Sequence, residues 1–332
     1  SIMILSNSRT AGYDIARILS CILVYLSHTP GSLTQIYGSE LACVYVSSIN
    51  DSSLVMFFMI SGAFILGKPD NTRDFFRRRF KRILIPMAVF TVGYTIYEVK
   101  MGSSLYRILT RVLFEGIANQ SYWFLYTLCG LYLVTPILSQ WLRAASRKEV
   151  AFYLGIWLIT TCFPFYNEAF GYNPYDSSVF RLITGYTGAY VAGYYIHRYI
   201  DATSRKALTM IIAFGTSAII IPLIELYVDK GWYGLWDCNY NCVAFGIAIL
   251  LLILRISGNR KSSPAVALIA NLTFGMYLLN TIVNYFLSRW GLTSGLSLRE
   301  GYALFFPVSL ASSLIITYIC SRVPILRKAV GL

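Results

Sequence analysis

Continuous apolar runs of about 20 residues recur along the whole chain and limit its fold more than any other feature. Runs of this length can cross the hydrocarbon core of a bilayer as helices, and they lack the alternation of membrane barrel strands. Helices and closed barrels are the only spanning structures that pair all their backbone polar groups in lipid. The sequence therefore predicts an all-α membrane protein.

The number of runs predicts about ten transmembrane helices in a single integral-membrane domain over residues 1–332. The expected spans are 11–29, 52–67, 83–99, 122–142, 149–166, 179–196, 207–227, 239–257, 264–287 and 300–320. Only 13% of the residues are charged, whereas a soluble domain has about 25%. This composition excludes a disordered protein and an ordinary soluble enzyme.

The basic residues predict the orientation. The net charge is +13, and 20 of the 28 Lys and Arg residues fall in one alternate set of connecting segments. These segments contain Arg9 and the residues of 68–82, 143–148, 198–206, 255–261 and 322–328. The positive-inside rule then places both termini in the cytoplasm and accounts for the charge without a nucleic-acid partner. No Cys/His cluster has metal-ligand spacing, so we expect no metal.

Three ionisable residues lie in the first span, where lipid makes them costly. Arg17 and His28 are eleven residues apart, which is close to three helical turns, so they share one face about 16 Å apart along the axis. Asp14 precedes Arg17 by three residues and can pair with it. This pattern indicates a functional stripe with a cation near the inside and an imidazole near the outside. The alternative is an Asp14–Arg17 pair at the inner interface and a His28 that merely ends the helix.

Two further motifs follow in the second span and the next inner segment. In FFMISG (57–62), Ser61 either lines a cavity or, with Gly62, allows close helix packing. The segment 68–82 holds seven basic and two acidic residues. It is either a topology signal with affinity for anionic lipid, or a phosphate site in which Arg79 and Arg82 share a helix face.

A fourth motif, YWFLYTLCGLYLVTPIL (122–138), begins with Tyr122 and Trp123 at the expected outer interface. Aromatic residues are common at this depth, and sugar stacking is the alternative role. In the outer loop that follows the fifth span, Glu168 is one of several polar candidates for binding an acceptor.

Taken in this order, the motifs resemble the acyltransferase-3 family of membrane acyltransferases, in its compact polysaccharide O-acetyltransferase form. The matching pieces are Arg17-x10-His28, FFMISG, Arg79-x-x-Arg82, WFLYTLCGLYLVTPIL and LTFGMYLLN (272–280). The family often has a histidine where this chain has Asn280, which puts the role of that position in doubt.

The resemblance implies transfer of an acyl group, most often acetyl, from acetyl-CoA to a hydroxyl of a sugar or glycan at the bacterial inner membrane. It implies that Arg17 and His28 are essential. Arg79 and Arg82 would serve the acyl-CoA donor.

A mechanism can be built on these roles. The CoA phosphates would bind Arg78, Arg79 and Arg82, and the pantetheine arm would pass Arg17 toward His28. His28 would act as general base, with Ser61 and Asn280 as candidates to stabilise the oxyanion. A covalent acyl-histidine route is open. A transporter or flippase of a lipid-linked sugar is the alternative function, because such proteins also have many spans and buried charges.

Overall fold

The computed structural model describes residues 10–29, 36, 38–68, 71–100, 102–110, 112, 123–163, 183–228 and 238–332. Its helices are α1 Ala11–Ser27, α2 Glu40–Ile65, α3 Thr72–Lys100, α4 Leu105–Thr110, α5 Trp123–Ala144, α6 Arg147–Thr160, α7 Tyr186–Tyr199, α8 Arg205–Val228, α9 Tyr240–Ser257, α10 Pro264–Arg289, α11 Leu298–Arg322 and α12 Pro324–Ala329. No strand occurs in these ranges, apart from one isolated bridge between Thr10 and Lys261. The predicted all-α class is confirmed.

Seven of the described helices (α2, α3, α5, α8, α9, α10 and α11) are long and apolar enough to cross a membrane. Helix α1 has 17 residues, and α6 and α7 have 14 each. The many long apolar helices confirm a multi-pass membrane architecture. The count of ten spans, the cytoplasmic termini and the single domain over the whole chain stay predictions.

Helix α2 begins twelve residues before the predicted start of the second span, at Glu40 instead of residue 52. The prediction missed this half because it contains polar residues. In the structure, Ser47, Ser48 and Asn50 are buried against neighbouring helices instead of facing lipid. Buried polar residues of this kind lower the mean hydropathy of a segment, so hydropathy alone does not identify it as part of a membrane helix.

Helix α3 also starts early, at Thr72, so most of the segment expected to be an inner loop is helical. The Asn71 side chain accepts a hydrogen bond from the Arg73 backbone N–H at 2.9 Å. Phe75 packs edge-on against Tyr132 of α5, with ring centroids 5.8 Å apart. The basic segment is thus an amphipathic extension of α3, with its aromatic side chains turned toward the bundle.

Helix α2 is the central element, with α1, α7 and α9 packed around it, while α10 packs on α1 and α11. Its contact with α7 is backbone on backbone. A Cβ added at Gly62 would overlap the carbonyl of Tyr190, and one added at Gly193 would overlap the carbonyl of Met59. Only glycine permits this approach, which is a common device for packing helices in membranes.

Helix α1 is fixed against α10 and α11 along its second half. The Tyr25 hydroxyl donates to the Met276 carbonyl at 2.7 Å, and the Tyr302 hydroxyl donates to the Leu26 carbonyl at 3.0 Å. We call the end of the bundle with Arg79 and the start of α10 the basic end, and the end with His28 the opposite end. Helix α1 runs from the first to the second.

Candidate functional site

A cavity of about 150 Å³ lies inside the bundle toward the basic end. We call it the arginine cavity. Its polar lining residues are Arg17, Ser61, Arg79, Arg82, Tyr132, Asn271, Thr273 and Tyr277, and the other lining residues are apolar. Four of the site residues expected from separate motifs in the sequence therefore meet at one cavity.

Each of these residues comes from a different helix or turn. Arg17 points from α1, Ser61 from α2, and Arg79 and Arg82 from successive turns of α3. Because residues three apart share a helix face, both α3 guanidinium groups reach the same cavity. The stripe on α1 therefore faces the bundle interior at Arg17.

The FFMISG motif serves both roles that its sequence left open. Ser61 lines the cavity, whereas the adjacent Gly62 packs on the Tyr190 backbone. Residues next to each other on a helix point about 100° apart, so one can face the cavity while the other faces α7. The close packing of Gly62 fixes the depth at which Ser61 is presented.

The arginine cavity is strongly electropositive. Three guanidinium groups line it, and no carboxylate is among its lining residues. Asp14 is only 2% exposed and accepts a hydrogen bond from the Ser262 hydroxyl, so α1 is tied to the segment before α10. The predicted Asp14–Arg17 pair stays a prediction. A cavity with this lining suits an anionic or strongly polar ligand, since Arg forks bind phosphate and polarised carbonyl oxygens.

His28 lies at the other end of the α1 stripe, where the helix ends. Its Nδ1 is 2.8 Å from the Val24 carbonyl, and the side chain is exposed. A carbonyl can only accept, so Nδ1 carries the proton and Nε2 of the neutral ring is left as a proton acceptor. A helix-end imidazole held in this tautomer has the form required of a general base.

An amide network lies beside His28. Asn284 Nδ2 donates to the His28 carbonyl at 3.0 Å and to Asn280 Oδ1 at 2.7 Å, and Asn284 Oδ1 accepts from the Ser309 hydroxyl. The acceptor-only carbonyl fixes the orientation of both amides. Asn280 is 2% exposed, and its Nδ2 donor has no hydrogen-bond partner among the described residues. A buried donor without an acceptor is costly, so it is a candidate for binding a substrate oxygen.

Three aromatic rings form one continuous group at the arginine cavity. Phe57, Phe124 and Tyr277 line the cavity, with centroid distances of 5.9 Å for Phe57–Phe124 and 5.4 Å for Phe124–Tyr277. Tyr277 lies about one helical turn before Asn280, and Phe57 one turn before Ser61. We call these three lining rings the partition.

Two further predicted site residues, Trp123 and Arg78, lie at the edges of this arrangement. Trp123 packs on Tyr186 with ring centroids 5.6 Å apart, near the partition ring Phe124. Arg78 lies outside the arginine cavity, on an adjoining groove. Tyr122 and Glu168 lie outside the described residues.

The sequence pattern alone did not identify Asn284, Asn271 or Tyr132. The spacing of Asn280 and Asn284, four residues apart on one helix face, was an available signal for the first. The other two reach the cavity through tertiary packing and had no local signal. The second histidine, His197, lies in the last turn of α7, and its Nδ1 is 3.0 Å from the Tyr13 hydroxyl.

Comparison with known protein families bears directly on this arrangement. A family model described as an acyltransferase domain, of the acyltransferase-3 type, matches residues 10–322. The chain belongs to the acyltransferase-3 family. The match covers nearly the whole chain and includes every helix of the arginine cavity. Neither curated proteins nor solved structures give a match.

Family membership makes this acyltransferase-3 protein a membrane acyltransferase, which uses an acyl donor and an acceptor. The roles of His28, Arg17 and the α3 arginines within that activity stay predictions, as do the identities of both substrates. The geometry described above gives each role a physical basis.

Proposed function

We propose that this protein is an O-acyltransferase of the bacterial inner membrane. It moves an acetyl group from cytoplasmic acetyl-CoA to a hydroxyl of a cell-surface sugar or glycan precursor. The observation that carries this proposal is the meeting of Arg17, Arg79 and Arg82 around one cavity, with His28 beyond it on the helix of Arg17. The arginines alone would also suit the phosphate of a lipid-linked sugar, so the imidazole beyond them is what favours acyl transfer over transport.

The donor enters from the basic end in this scheme. CoA is a polyanion, and Arg78, Arg79 and Arg82 provide guanidinium groups for its phosphates. The narrow pantetheine arm follows the arginine cavity past Ser61, whose hydroxyl can donate to an amide oxygen of the arm. Arg17 then orients the arm below the partition.

The acceptor approaches His28 from the opposite end. The exposure of the imidazole supports this role, because a sugar hydroxyl can reach Nε2 from the outer aqueous phase. The hydrogen bond from Nδ1 to the Val24 carbonyl supports it as well, because it holds the ring in the tautomer that accepts a proton at Nε2.

Transfer then proceeds with balanced proton movements. His28 Nε2 takes the proton of the sugar hydroxyl as its oxygen attacks the thioester carbonyl carbon, giving a tetrahedral oxyanion. The unpartnered Asn280 Nδ2 supplies a donor for that oxyanion. When the carbon–sulfur bond breaks, the leaving CoA thiolate takes the proton from the imidazolium. The products are the O-acetyl ester and free CoA, with His28 neutral again.

The test is mass spectrometry of surface glycans from cells that express the native protein, the His28→Ala variant or neither. We expect one added acetyl unit per modified sugar only with the native protein, at equal membrane abundance of the variant. Glycans of identical mass in all three strains, together with export defects in the strain without the protein, would favour the transporter. Equal acetylation by the variant would remove His28 from the chemistry.

A further inference from the structure

A second cavity opens on the surface of the basic end. We call it the basic groove, and its volume is about 790 Å³. Helices α3, α10, α11 and α12 and the residues after α12 form its walls. Its cationic lining residues are Arg78, Lys81, Arg82, Arg322, Arg327 and Lys328. Half of them come from α3, and half from the end of α11 and from α12.

The basic groove joins the arginine cavity. Arg82 and Asn271 line both of them. Arg82 Nε also donates to the Gly331 carbonyl at 3.0 Å, which ties the segment after α12 to α3 at the junction. A ligand that occupies both spaces would therefore have one end in the groove and the other near Arg17.

The side chains that line the groove carry an excess of positive charge. Six cations and no Asp or Glu are among its lining residues. The cations come from two separate elements, α3 and the α11–α12 end, and the volume of about 790 Å³ has room for a ligand with two separate anionic groups. Coenzyme A has this form, because a ribose separates its diphosphate from its 3′-phosphate.

We propose that the basic groove binds the nucleotide end of the donor. The α3 wall holds the diphosphate, and Arg322, Arg327 and Lys328 hold the 3′-phosphate. This inference rests on the proposed function, since it specifies how that donor is recognised. It adds a contribution from the end of the chain that none of the motifs in the sequence indicated.

The chemistry of the 3′-phosphate makes the proposal specific. This group carries about two negative charges at neutral pH and accepts charge-assisted hydrogen bonds from guanidinium and ammonium groups. A protein that binds it should distinguish CoA from 3′-dephospho-CoA. A site for anionic phospholipid headgroups would also bind phosphate, but it would not distinguish CoA from 3′-dephospho-CoA. Comparing the binding of these two nucleotides therefore separates a CoA site from a lipid site.

The experiment measures binding of radiolabelled CoA and 3′-dephospho-CoA by equilibrium dialysis, with the full chain in zwitterionic nanodiscs. We expect the native protein to bind CoA about tenfold to 100-fold more tightly than 3′-dephospho-CoA. The variant Arg327→Gln with Lys328→Gln should lose most of that preference and keep its affinity for 3′-dephospho-CoA. Exchanging the two residues, Arg327→Lys with Lys328→Arg, should retain most of the preference.

A matched control is available in the chain. Arg205 and Lys206 form the same Arg–Lys pair at the start of α8, are exposed, and are not among the lining residues of either space. The variant Arg205→Gln with Lys206→Gln should bind both nucleotides like the native protein. An equal loss in the control would mean that only the overall charge matters, which would overturn the assignment.

Other outcomes separate this inference from the proposed function. If the native protein binds both nucleotides equally yet transfers acetyl groups, the inference is wrong and the function stands. If it prefers CoA through Arg327 and Lys328 but transfers nothing, the inference stands and the function is wrong. If the variant loses only phosphatidylglycerol bound in native mass spectrometry, the groove is a lipid site and the inference is wrong.

Discussion

The two ends of the α1 stripe offer opposite environments for chemistry. Around Arg17, three guanidinium groups line one cavity, and none of its described lining residues is a carboxylate. Around His28 it presents an exposed imidazole beside a network of amides and a hydroxyl. In the proposed function, charge holds the donor at the first end, and His28 takes up a proton at the second.

This difference indicates a division of work between the ends. Guanidinium groups stay charged at any physiological pH, so they bind anions but cannot take up a proton. An imidazole can take and return a proton near neutral pH, and a nearby charge cluster would disturb that ability. About 16 Å of helix between Arg17 and His28 keeps the two tasks apart.

The largest expected effect comes from the opposite end. His28→Ala should lower kcat by about 10²- to 10⁴-fold, because it removes the general base, and should leave the KM for acetyl-CoA nearly unchanged. Steady-state kinetics in nanodiscs measure both values. The other histidine provides the control, since His197→Gln should retain kcat. A near-native kcat for the His28→Ala variant would contradict the assignment of proton transfer to His28.

Asn280→Ala should lower kcat by about 10- to 100-fold with little change in KM, because it removes one donor to the oxyanion. The readout is the same kinetic assay, with Asn280→Gln as a variant that keeps an amide but moves it. A KM effect without a kcat effect would assign Asn280 to acceptor binding instead.

At the basic end the effect should fall on KM. Arg79→Ala with Arg82→Ala should raise the KM for acetyl-CoA by about tenfold or more, because two charge-assisted contacts to phosphate are lost, and kcat should change little. The control is Arg73→Ala with Arg77→Ala, two exposed arginines on the same helix that are absent from the lining of both cavities. If both double variants lower only protein abundance, the α3 arginines are a topology signal.

The smallest effect is expected for Arg17→Lys, which keeps the charge but loses the planar fork. We expect a loss of about tenfold in kcat/KM, and a larger loss for Arg17→Ala, if two hydrogen bonds from the guanidinium orient the arm. A lysine variant with native kinetics would show that charge alone is sufficient at this end of the stripe.

Periodicity and hydropathy predicted much of this arrangement. The eleven-residue spacing put Arg17 and His28 on one stripe, and the three-residue spacing put Arg79 and Arg82 on one face. Both relations are local and follow from helix geometry alone. The convergence of these residues with Ser61 depends on the packing of α1, α2 and α3, which no local pattern records.

The errors had physical causes as well. Helix α2 was predicted too short because its buried Ser and Asn residues resemble a loop to a hydropathy argument. The start of α3 was expected to be a loop because its charges mask the aromatic face that packs on α5. The Asn280–Asn284 network could be suspected from spacing, but its link to the His28 carbonyl required the fold.

The glycine contact between α2 and α7 has a consequence for motion. The carbonyl groups of Tyr190 and Met59 lie against Gly62 and Gly193, so α2 and α7 have little room to slide or tilt against each other. We therefore expect these two helices to move as one rigid unit. Helix α3 rests chiefly on α5 and α12, and 17% of its apolar window is buried, against 67% for α2. Among the helices that line the arginine cavity, α3 is therefore the one that we expect to move when a bulky thioester enters.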